Sequence, residues 1–400
     1  MKKVLYISSL GMGEALGQSQ VWEYLKGLSS RYGLFLYSFE KETAKDKIER
    51  IKEKMADDGI SWYFQPYSNR YGIISTLFQI LSSVRELRAI VKTEEIELIH
   101  ARSLVPMVMA LYLKRFYGVK VLFDIRGFQV DEKAEVGRIT KGSLLFKMLK
   151  NLEHYAYAKS DALVTLTNAS IPYLVKHISK DKITVIPTCA NEKLFRRLSL
   201  KEKDSLKEAL GYRKEDKILI HTGAVANWYD FDSELQIISS LMAKDKDIRY
   251  LILNRAEHRY INEKLQEYHI PKDRVRLKSV AFEEVYRYLN ISDASIFIIK
   301  PTFSKKASAP TKFAENLSCA LDSITNVGIG DMDYFLTHYD VGYLLDVDML
   351  ESDLERISKE ILERVVAQKE LKAYQKCYEA YFSKDKAVEM YAQIYDRLLI

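Results

Sequence analysis

The residues best suited to chemistry are a lysine and a glutamate three positions apart, Lys312 and Glu315. At this spacing both side chains lie on one face of a helix, which we predict over residues 308–317. The free amide groups at the start of such a helix attract an anion such as a phosphate, and the lysine adds positive charge. A carboxylate one turn further on accepts hydrogen bonds from a pair of sugar hydroxyls. The pattern predicts a site for a nucleotide-linked sugar, although an amphipathic helix with both side chains in water has the same pattern.

A glycine-rich segment follows the first apolar run of the chain and precedes a predicted helix. Its three glycines, Gly11, Gly13 and Gly17, allow tight backbone turns, and the start of the helix favours an anion. Their spacing is one residue longer than that of the dinucleotide-binding motif, and Glu40 lies near the place of that motif's ribose-binding acid. A dehydrogenase site and a purely structural turn are therefore alternatives to a phosphate-binding loop.

Charged residues also follow predicted strands. Asp124 and Arg126 stand two apart at the end of the apolar run 119–123, so their side chains share one side of an extended segment. Such strand ends often face a ligand in parallel sheets, although a surface ion pair has the same pattern. Arg102 is a weaker case of the same kind. Gly223 follows a later apolar run and allows close approach of the backbone to a ligand.

Short apolar runs alternate with helical periodicity along the chain, which is typical of parallel sheets wrapped by helices. The alternation stops at the charged segment 187–217 and then starts again. We therefore predict an α/β protein with two Rossmann-like, doubly wound parallel-sheet domains that face each other across a cleft. The first domain is predicted over residues 1–190 and the second over residues 191–383. The final segment, 384–400, is predicted to be a helix with an apolar stripe.

The composition limits the classes of protein that are possible. The chain has 400 residues and a net charge of +6, and its three widely spaced cysteines argue against a disulfide framework or a zinc site. The cysteines also argue for a reducing compartment, so we predict a cytoplasmic protein. The basic start lacks the apolar length of a signal peptide, so we predict a first strand there. The sequence has no recognisable nucleic-acid motif, so we predict no nucleic-acid partner. Asp-x-Asp pairs at 230–232, 331–333 and 346–348 have the spacing of a metal–diphosphate site. Because a lysine and helix amides already provide positive charge, we predict no metal.

Two predicted helices carry basic and apolar residues together. One lies near residues 144–158, and the other is an earlier helix with a clear apolar face. The basic residues are Lys141, Lys147 and Lys150 in one and Arg85, Arg88 and Lys92 in the other. Basic amphipathic helices can lie on an anionic bilayer, so an anionic membrane surface is a predicted partner. A helix packed on the core with its lysines in water is the alternative.

In this order, these segments resemble the retaining, nucleotide-sugar-dependent glycosyltransferases of family 4, of the bacterial polysaccharide-synthesis type and the GT-B fold. The motifs that carry the resemblance are Leu16-Gly-Gln-Ser-Gln20, Ile99-His-Ala-Arg-Ser103, Phe123-Asp-Ile-Arg-Gly-Phe128, Val185-Ile-Pro-Thr188 and residues 308–321. The resemblance implies that Glu315 holds the nucleotide ribose and that the final helix crosses back to the first domain. The chain departs from the family in three places. Ala307 replaces the first glutamate of the E-x7-E motif, Arg126 replaces a common histidine, and no obvious Arg or Lys follows Gly223.

The resemblance implies a glycosyltransferase that moves a sugar from a nucleotide diphosphate-sugar, its co-substrate, to a hydroxyl of a glycan or lipid-linked acceptor. We expect it to retain anomeric configuration, to need no metal or other cofactor, and to act in bacterial surface polysaccharide synthesis at the inner face of the cell membrane. A nucleotide-sugar epimerase of the same fold and a catalytically decayed nucleotide-sugar-binding protein are the alternatives. The expected residues are Asp124 and Arg126 for catalysis, Gly11, Gly13, Gly223, Ser308, Ala309, Pro310, Thr311, Lys312 and Glu315 for the donor, and Gln18 and Arg102 for the acceptor.

Overall fold

The structure is a computed structural model that describes residues 1–41, 45–67, 72–367 and 369–400. The chain folds into two compact units. The first unit is Met1–Pro187 together with Lys384–Ile400, and the second unit is Thr188–Ser383. Each unit has its own parallel sheet and its own buried apolar residues.

The described part of the first unit has a sheet of seven parallel strands. They are β1 (Lys3–Ser8), β2 (Gly33–Glu40), β3 (Ile60–Pro66), β4 (Leu98–Arg102), β5 (Lys120–Asp124), β6 (Ala162–Thr165) and β7 (Ile183–Val185). Their order in the sheet is β3-β2-β1-β4-β5-β6-β7. The central strands are nearly continuous apolar runs because helices cover both faces of the sheet. The order reverses at β1, and ligands of such sheets bind beyond the carboxyl ends of the strands at this point.

The helices of the first unit connect these strands. They are α1 (Ala15–Gly17), α2 (Glu23–Leu28), α3 (Lys45–Asp57), α4 (Ile73–Thr93), α5 (Leu104–Tyr117), α6 (Gln129–Glu135), α7 (Leu144–Lys159) and α8 (Ile171–Leu174). A π-helical turn, Gln18–Trp22, joins α1 to α2. Connections between parallel strands are right-handed, so the reversal at β1 puts α2 and α3 on one face of the sheet and α4, α5 and α7 on the other.

The described part of the second unit has a sheet of six parallel strands. They are β8 (Lys217–Thr222), β9 (Ile248–Leu253), β10 (Val275–Lys278), β11 (Ala294–Ile296), β12 (Asp322–Asn326) and β13 (Gly342–Leu345). Their order is β10-β9-β8-β11-β12-β13, which reverses at β8. The helices are α9 (Leu200–Ala209), α10 (Phe231–Lys244), α11 (His258–Glu267), α12 (Val285–Ile291), α13 (Thr311–Ser318), α14 (Met332–Tyr339), α15 (Leu350–Val366) and α16 (Leu371–Cys377), followed by a π-helical turn, Tyr378–Phe382.

The last helix, α17 (Lys384–Leu398), lies in the first unit and packs on α2. The two helices are in close contact at Gly27, where an added Cβ atom would lie 2.8 Å from a methyl group of Val388. An ion pair between Lys384 and Glu23, 2.7 Å long, supports the start of α17. Glycine at position 27 therefore allows the close packing of α17.

The predicted pair of Rossmann-like parallel-sheet domains is confirmed by these two sheets. One helix begins later than the sequence pattern predicts, because α13 starts at Thr311 rather than at 308. Pro310 precedes it with an extended backbone, ψ 119°, and the residue before a proline is disfavoured in a helix. In the part of the chain that the structure describes, no helix is both long and apolar enough to cross a bilayer.

Candidate functional site

A pocket of about 550 Å³ opens in the second unit beyond the carboxyl ends of β8 and β9. The first turns of α13 form one side of it, and the segment after β10 forms another. Of the predicted donor residues, Gly223, Thr311, Lys312 and Glu315 line this pocket. Because the strand order reverses at β8, the pocket lies where a doubly wound sheet binds its ligands.

Lys312 is a buried cation in this pocket. Its side chain is in the first turn of α13 and the residue is 8% exposed. The ammonium nitrogen lies 4.1 Å from the ring centre of Tyr229 and 5.2 Å from that of Phe297. Among the described residues it has no hydrogen-bond partner. Aromatic faces stabilise a cation only in part, and a buried charge without a hydrogen bond is costly, so this nitrogen is suited to an anionic ligand.

Glu315 follows one turn later and is also 8% exposed. Burial disfavours its charged form and raises the pKa of the carboxyl group to about 7, although the positive charge of Lys312 acts in the opposite direction. The group therefore changes its charge close to neutral pH. When ionised, it provides two acceptor oxygens in the same pocket as a cation, as the sequence spacing predicts.

The three residues before α13 do not contribute to the pocket lining. Ser308, Ala309 and Pro310 are partly buried and are not among the residues that line the pocket. Thr311 is the first of this segment to line it. Ala307, at the position of the family's first glutamate, is fully buried. The structure thus brings the second half of the predicted segment into the pocket, and the later start of the helix accounts for the difference.

Sequence reasoning missed the residues that follow β9. Asn254, Arg255 and Glu257 all line the pocket. The Asn254 side chain donates to the carbonyl oxygen of Gly223 at 3.0 Å and to Glu257 at 2.8 Å. A carboxylate oxygen of Glu257 also accepts from the amide of Val225 at 2.9 Å. These bonds hold the loop after β8 against the loop after β9, with the φ of Gly223 at +90°. The signal available in the sequence was that Asn254, Arg255 and Glu257 come directly after a strand, β9, that lies next to β8.

An apolar wall completes the pocket. Val280, Phe282 and Val285 lie between the end of β10 and the first turn of α12, and all three face the pocket. The exposed Arg255 donates from its Nε atom to the carbonyl oxygen of Val280 at 3.2 Å and so connects this wall to the polar end. A planar aromatic group fits against such a wall, while charged parts of the same ligand reach Lys312.

In the first unit, the carboxylate of Glu40 holds the glycine loop. One of its oxygens accepts from the amide of Met12 at 2.7 Å, and the other accepts from the amide of Gly13 at 2.9 Å. The hydroxyl of Ser38 donates to the same carboxylate at 2.7 Å. These loop amides therefore bind a carboxylate of the protein itself. Glu40 therefore binds amides of the protein itself and is not available to bind a ribose. A dehydrogenase site would need this carboxylate for the ribose.

The glycines of this loop allow close packing. A Cβ atom at Gly11 would lie 2.7 Å from a carboxylate oxygen of Glu40, and one at Gly17 would lie 2.0 Å from the carbonyl oxygen of Gly11. The side chain of Gln18 donates to the carbonyl oxygen of Met12 at 2.9 Å. The loop is thus a tightly packed turn, and the structural interpretation of its glycines accounts for all of these contacts.

Replacement of Glu40 by glutamine is expected to lower the free energy of unfolding of the first unit by about 2 kcal/mol, because the amide cannot accept from both loop amides. Denaturant unfolding of the full chain measures this. Glu49→Gln, at an exposed position on α3, is the matched control. Equal stability of the two variants would show that the loop does not depend on Glu40.

Asp124 is the centre of a buried ionic cluster at the end of β5. Arg102 approaches one of its oxygens at 3.4 Å and Arg126 at 3.8 Å, with a ring nitrogen of His100 at 3.7 Å. The hydroxyl of Tyr391 from α17 donates to the same oxygen at 3.3 Å. Burial raises the pKa of Asp124, but Arg126, His100 and Arg102 outweigh this effect and hold it at about 2. A carboxylate of this kind stays charged and is a poor proton acceptor near neutral pH.

Arg126 and His100 have distinct environments in this cluster. Arg126 has a left-handed backbone, φ +52°, and its guanidinium donates to the side chain of Gln20 at 3.4 Å. Nδ1 of His100 lies 2.7 Å from the hydroxyl of Tyr395, and burial lowers the pKa of the imidazole. His100 is therefore packed in the core. The structure brings the predicted residues Arg102, Asp124 and Arg126 together at the ends of β4 and β5.

The Asp-x-Asp pairs contribute hydrogen bonds to local structure. Asp230 accepts from the amide of Ser233 at the start of α10, and Asp346 accepts from the amide of Asp348. Asp333 accepts from the amide of Gly328 at 3.1 Å. Within the described ranges, no group of three or more His, Cys, Asp or Glu side chains is arranged to hold a metal ion.

Residues 20–193 match the model of Glycosyltransferase Family 4. No curated protein sequence matches the chain. Among solved structures, sucrose-phosphate synthase of Thermosynechococcus elongatus is similar with a TM-score of 0.74 and 14% identity, covering 100% of this chain and 99% of that chain. A glycosyltransferase of Rickettsia africae has a TM-score of 0.70 and 16% identity, covering 100% and 98%. HepE of Anabaena, in complex with UDP-glucose, has a TM-score of 0.67 and 12% identity, covering 100% and 99%. At these identities the likeness establishes the fold.

Proposed function

We propose that the chain, whose residues 20–193 match the model of Glycosyltransferase Family 4, is a glycosyltransferase that transfers a sugar from a nucleoside diphosphate-sugar to a hydroxyl of a glycan or lipid-linked acceptor. The observation that carries this proposal is the pairing of Lys312 and Glu315 in one pocket. Lys312 offers a buried ammonium without a hydrogen-bond partner among the described residues, and Glu315 offers carboxylate oxygens one turn later.

Two structural neighbours have been solved with a nucleotide, and a third is a glycosyltransferase. HepE of Anabaena has been solved with UDP, with UDP and glucose, and with UDP-glucose. MnaA of S. aureus has been solved with UDP, and its TM-score to this chain is 0.59. WaaG, a glycosyltransferase involved in lipopolysaccharide biosynthesis, has a TM-score of 0.65. These proteins share the fold of this chain, and we extend a nucleotide donor to it on that ground.

In this proposal the donor lies with its base on the apolar wall and its diphosphate at the start of α13. The ribose hydroxyls donate to Glu315, while Lys312 and the free amides at the helix start face the diphosphate. During transfer, the acceptor oxygen forms a bond to the anomeric carbon while the bond from that carbon to the diphosphate breaks. The electron pair of the broken bond leaves with the diphosphate, which also takes up the proton of the acceptor hydroxyl. Negative charge grows there, and a fixed cation in a buried site stabilises it more strongly than water would.

We propose that the first unit serves the acceptor and the reacting groups. Arg126 supplies positive charge, and Asp124 positions both Arg126 and Arg102, since its pKa of about 2 makes it unsuited to proton transfer. Gln18 and Arg102 are proposed acceptor-side residues. Retention of anomeric configuration, independence of metal ions and a cytoplasmic role in bacterial surface polysaccharide synthesis belong to the same proposal, and the family resemblance supports them.

Replacement of Glu315 by alanine is expected to weaken nucleoside diphosphate binding at least tenfold, because a hydrogen bond to a charged group contributes about 1.5–3 kcal/mol. Calorimetric titration with a panel of nucleoside diphosphates measures this at pH 8, where the group is ionised. Glu363→Ala, at an exposed position of the same unit, is the matched control.

Two further measurements make this test specific. The loss in Glu315→Ala should be smaller for the 2′-deoxynucleotide than for the ribonucleotide, since the deoxy form lacks one hydroxyl that Glu315 binds. Affinity of the unaltered chain should fall as the pH is lowered from 8 to 6, because Glu315 gains a proton near pH 7, while Glu315→Gln should show no such step. Unchanged affinity in Glu315→Ala, or no release of nucleoside diphosphate from any nucleotide-sugar, would contradict the proposed function.

A further inference from the structure

One face of the first unit exposes large apolar side chains. The helices α4, α5 and α7 lie side by side in one layer, with α4 against α5 and α5 against α7. Seven large apolar or aromatic side chains on this layer are each more than half exposed. They are Leu77 (55%), Phe78 (72%), Leu81 (74%), Phe116 (62%), Leu144 (76%), Met148 (60%) and Tyr155 (53%), and we call this surface the basic-apolar face. Single exposed apolar residues are common, but several on adjacent helices mark an interaction surface.

The same three helices are strongly basic. Their exposed cations are Arg85, Arg88 and Lys92 on α4, Arg115 on α5, and Lys147 and Lys159 on α7. Only two carboxylates occur in the three helices, Glu86 and Glu153. Glu86 accepts from the hydroxyl of Tyr37 at 2.8 Å, and Glu153 is buried and pairs with Lys150 at 2.6 Å. These three helices therefore carry more exposed positive charge than negative charge.

Several of these cations contact tyrosine side chains rather than carboxylates. The guanidinium of Arg88 donates to the hydroxyl of Tyr117 at 2.8 Å, and Lys92 lies 5.8 Å from the centre of the same ring. Lys159 lies 5.8 Å from the ring centre of Tyr155. Helix α3 of the same unit differs, because its lysines alternate with Asp and Glu. The layer of α4, α5 and α7 thus combines positive charge with several large exposed apolar side chains.

We propose that the basic-apolar face docks on an anionic lipid bilayer. The cations approach the lipid phosphates, and the exposed apolar side chains enter the boundary between headgroups and acyl chains. Charge complementarity favours this occupant over a second copy of the chain, whose identical face would bring like charges together. Lys150, which the sequence pattern counts among the membrane-facing lysines, is excluded because Asp131 and Glu153 bind it. The proposal goes beyond the proposed function and does not depend on the donor pocket.

Co-sedimentation of the full chain with vesicles tests the docking. We expect binding to vesicles of phosphatidylcholine with phosphatidylglycerol at low salt, little binding to phosphatidylcholine alone, and release at high salt. Lys147→Gln and Arg115→Gln should each lower the partition coefficient about fivefold. The matched controls are Lys52→Gln and Lys54→Gln, exposed lysines of α3, which should bind as the unaltered chain does.

A second pair of variants separates insertion from simple charge attraction. Leu144→Ser with Met148→Ser should weaken vesicle binding at fixed charge, whereas Leu200→Ser, at a 73% exposed position of the second unit, should not. Nucleoside diphosphate affinity should be the same in all these variants, so failure of docking and failure of the donor site can be told apart. Equal vesicle binding by the face variants and the controls would overturn the proposal. Self-association that Leu144→Ser with Met148→Ser abolishes, without vesicle binding, would overturn it in favour of a second copy.

Discussion

Replacement of Lys312 by methionine is expected to lower the rate of sugar transfer about 100- to 1000-fold, the usual cost of removing a preorganised group that stabilises developing charge. Methionine keeps an unbranched apolar chain against the ring of Tyr229 but removes the ammonium group, so the change is mainly electrostatic. The measurement is the initial rate of nucleoside diphosphate release with a saturating acceptor. Lys272→Met, at an exposed position of the same unit, should retain full activity.

The stability of this variant gives an independent check. In the unliganded chain, the Lys312 ammonium is buried without a hydrogen-bond partner among the described residues, and burial of such a charge is unfavourable. Lys312→Met should therefore unfold at the same or a higher denaturant concentration than the unaltered chain. Loss of activity together with preserved stability would assign the effect to charge. Full activity in Lys312→Met would exclude this residue from the reaction.

Local spacing was sufficient to predict that Lys312 and Glu315 lie on one face of α13. Lys312 and Glu315 are three residues apart, and a helix turns such a pair to one face whatever surrounds it. The sequence did not indicate that Lys312 lies on the ring of Tyr229, because Tyr229 is brought there by the packing of the second unit. For the same reason Asn254 and Arg255 were missed, since their place in the pocket depends on β9 lying next to β8.

For the glycine loop, the sequence predicted the local turns but not the hydrogen-bond partners of the loop amides. Its glycines predict tight turns, and the structure contains them, yet the proposed use of the Gly13 amide for a donor phosphate conflicts with its bond to Glu40. Glu40 stands at the end of β2, which pairs with β1 in parallel, so the two strand ends meet. A motif that is read along the chain cannot include a residue from the neighbouring strand. We therefore expect the diphosphate charge to be met mainly by Lys312.

The final helix explains why the Asp124 cluster needs residues from the far end of the chain. Five residues of α17 are buried in the first unit, namely Ala387, Tyr391, Ala392, Ile394 and Tyr395. The hydroxyl of Tyr391 donates to Asp124, and that of Tyr395 lies 2.7 Å from Nδ1 of His100. A cluster of charges at the end of β5 is thus covered by a helix that follows the whole second unit in sequence.

Truncation of the chain after Ser383 is accordingly expected to unfold or severely destabilise the first unit and to abolish transfer. Fully burying one large side chain contributes about 1.5–3 kcal/mol, so the loss of Tyr391, Ile394 and Tyr395 removes a large part of the about 5–15 kcal/mol that stabilises a typical domain. Exposure of the Asp124 cluster to water adds to this loss. Calorimetric melting and circular dichroism measure the effect, and truncation after Arg397, which spares all five buried residues, is the control.

Single substitutions distinguish the contribution of the hydroxyl groups from that of the apolar packing. Tyr391→Phe and Tyr395→Phe keep the rings in place but remove one hydrogen bond each, and each should cost about 1–3 kcal/mol because the partner, Asp124 or His100, is buried. In Tyr391→Phe, Asp124 loses a donor that favours its charged form, so its pKa should rise from about 2. The melting of the second unit should stay unchanged throughout, since it contains none of these residues. A truncated chain that melts and transfers sugar like the full one would show that α17 does not stabilise this cluster.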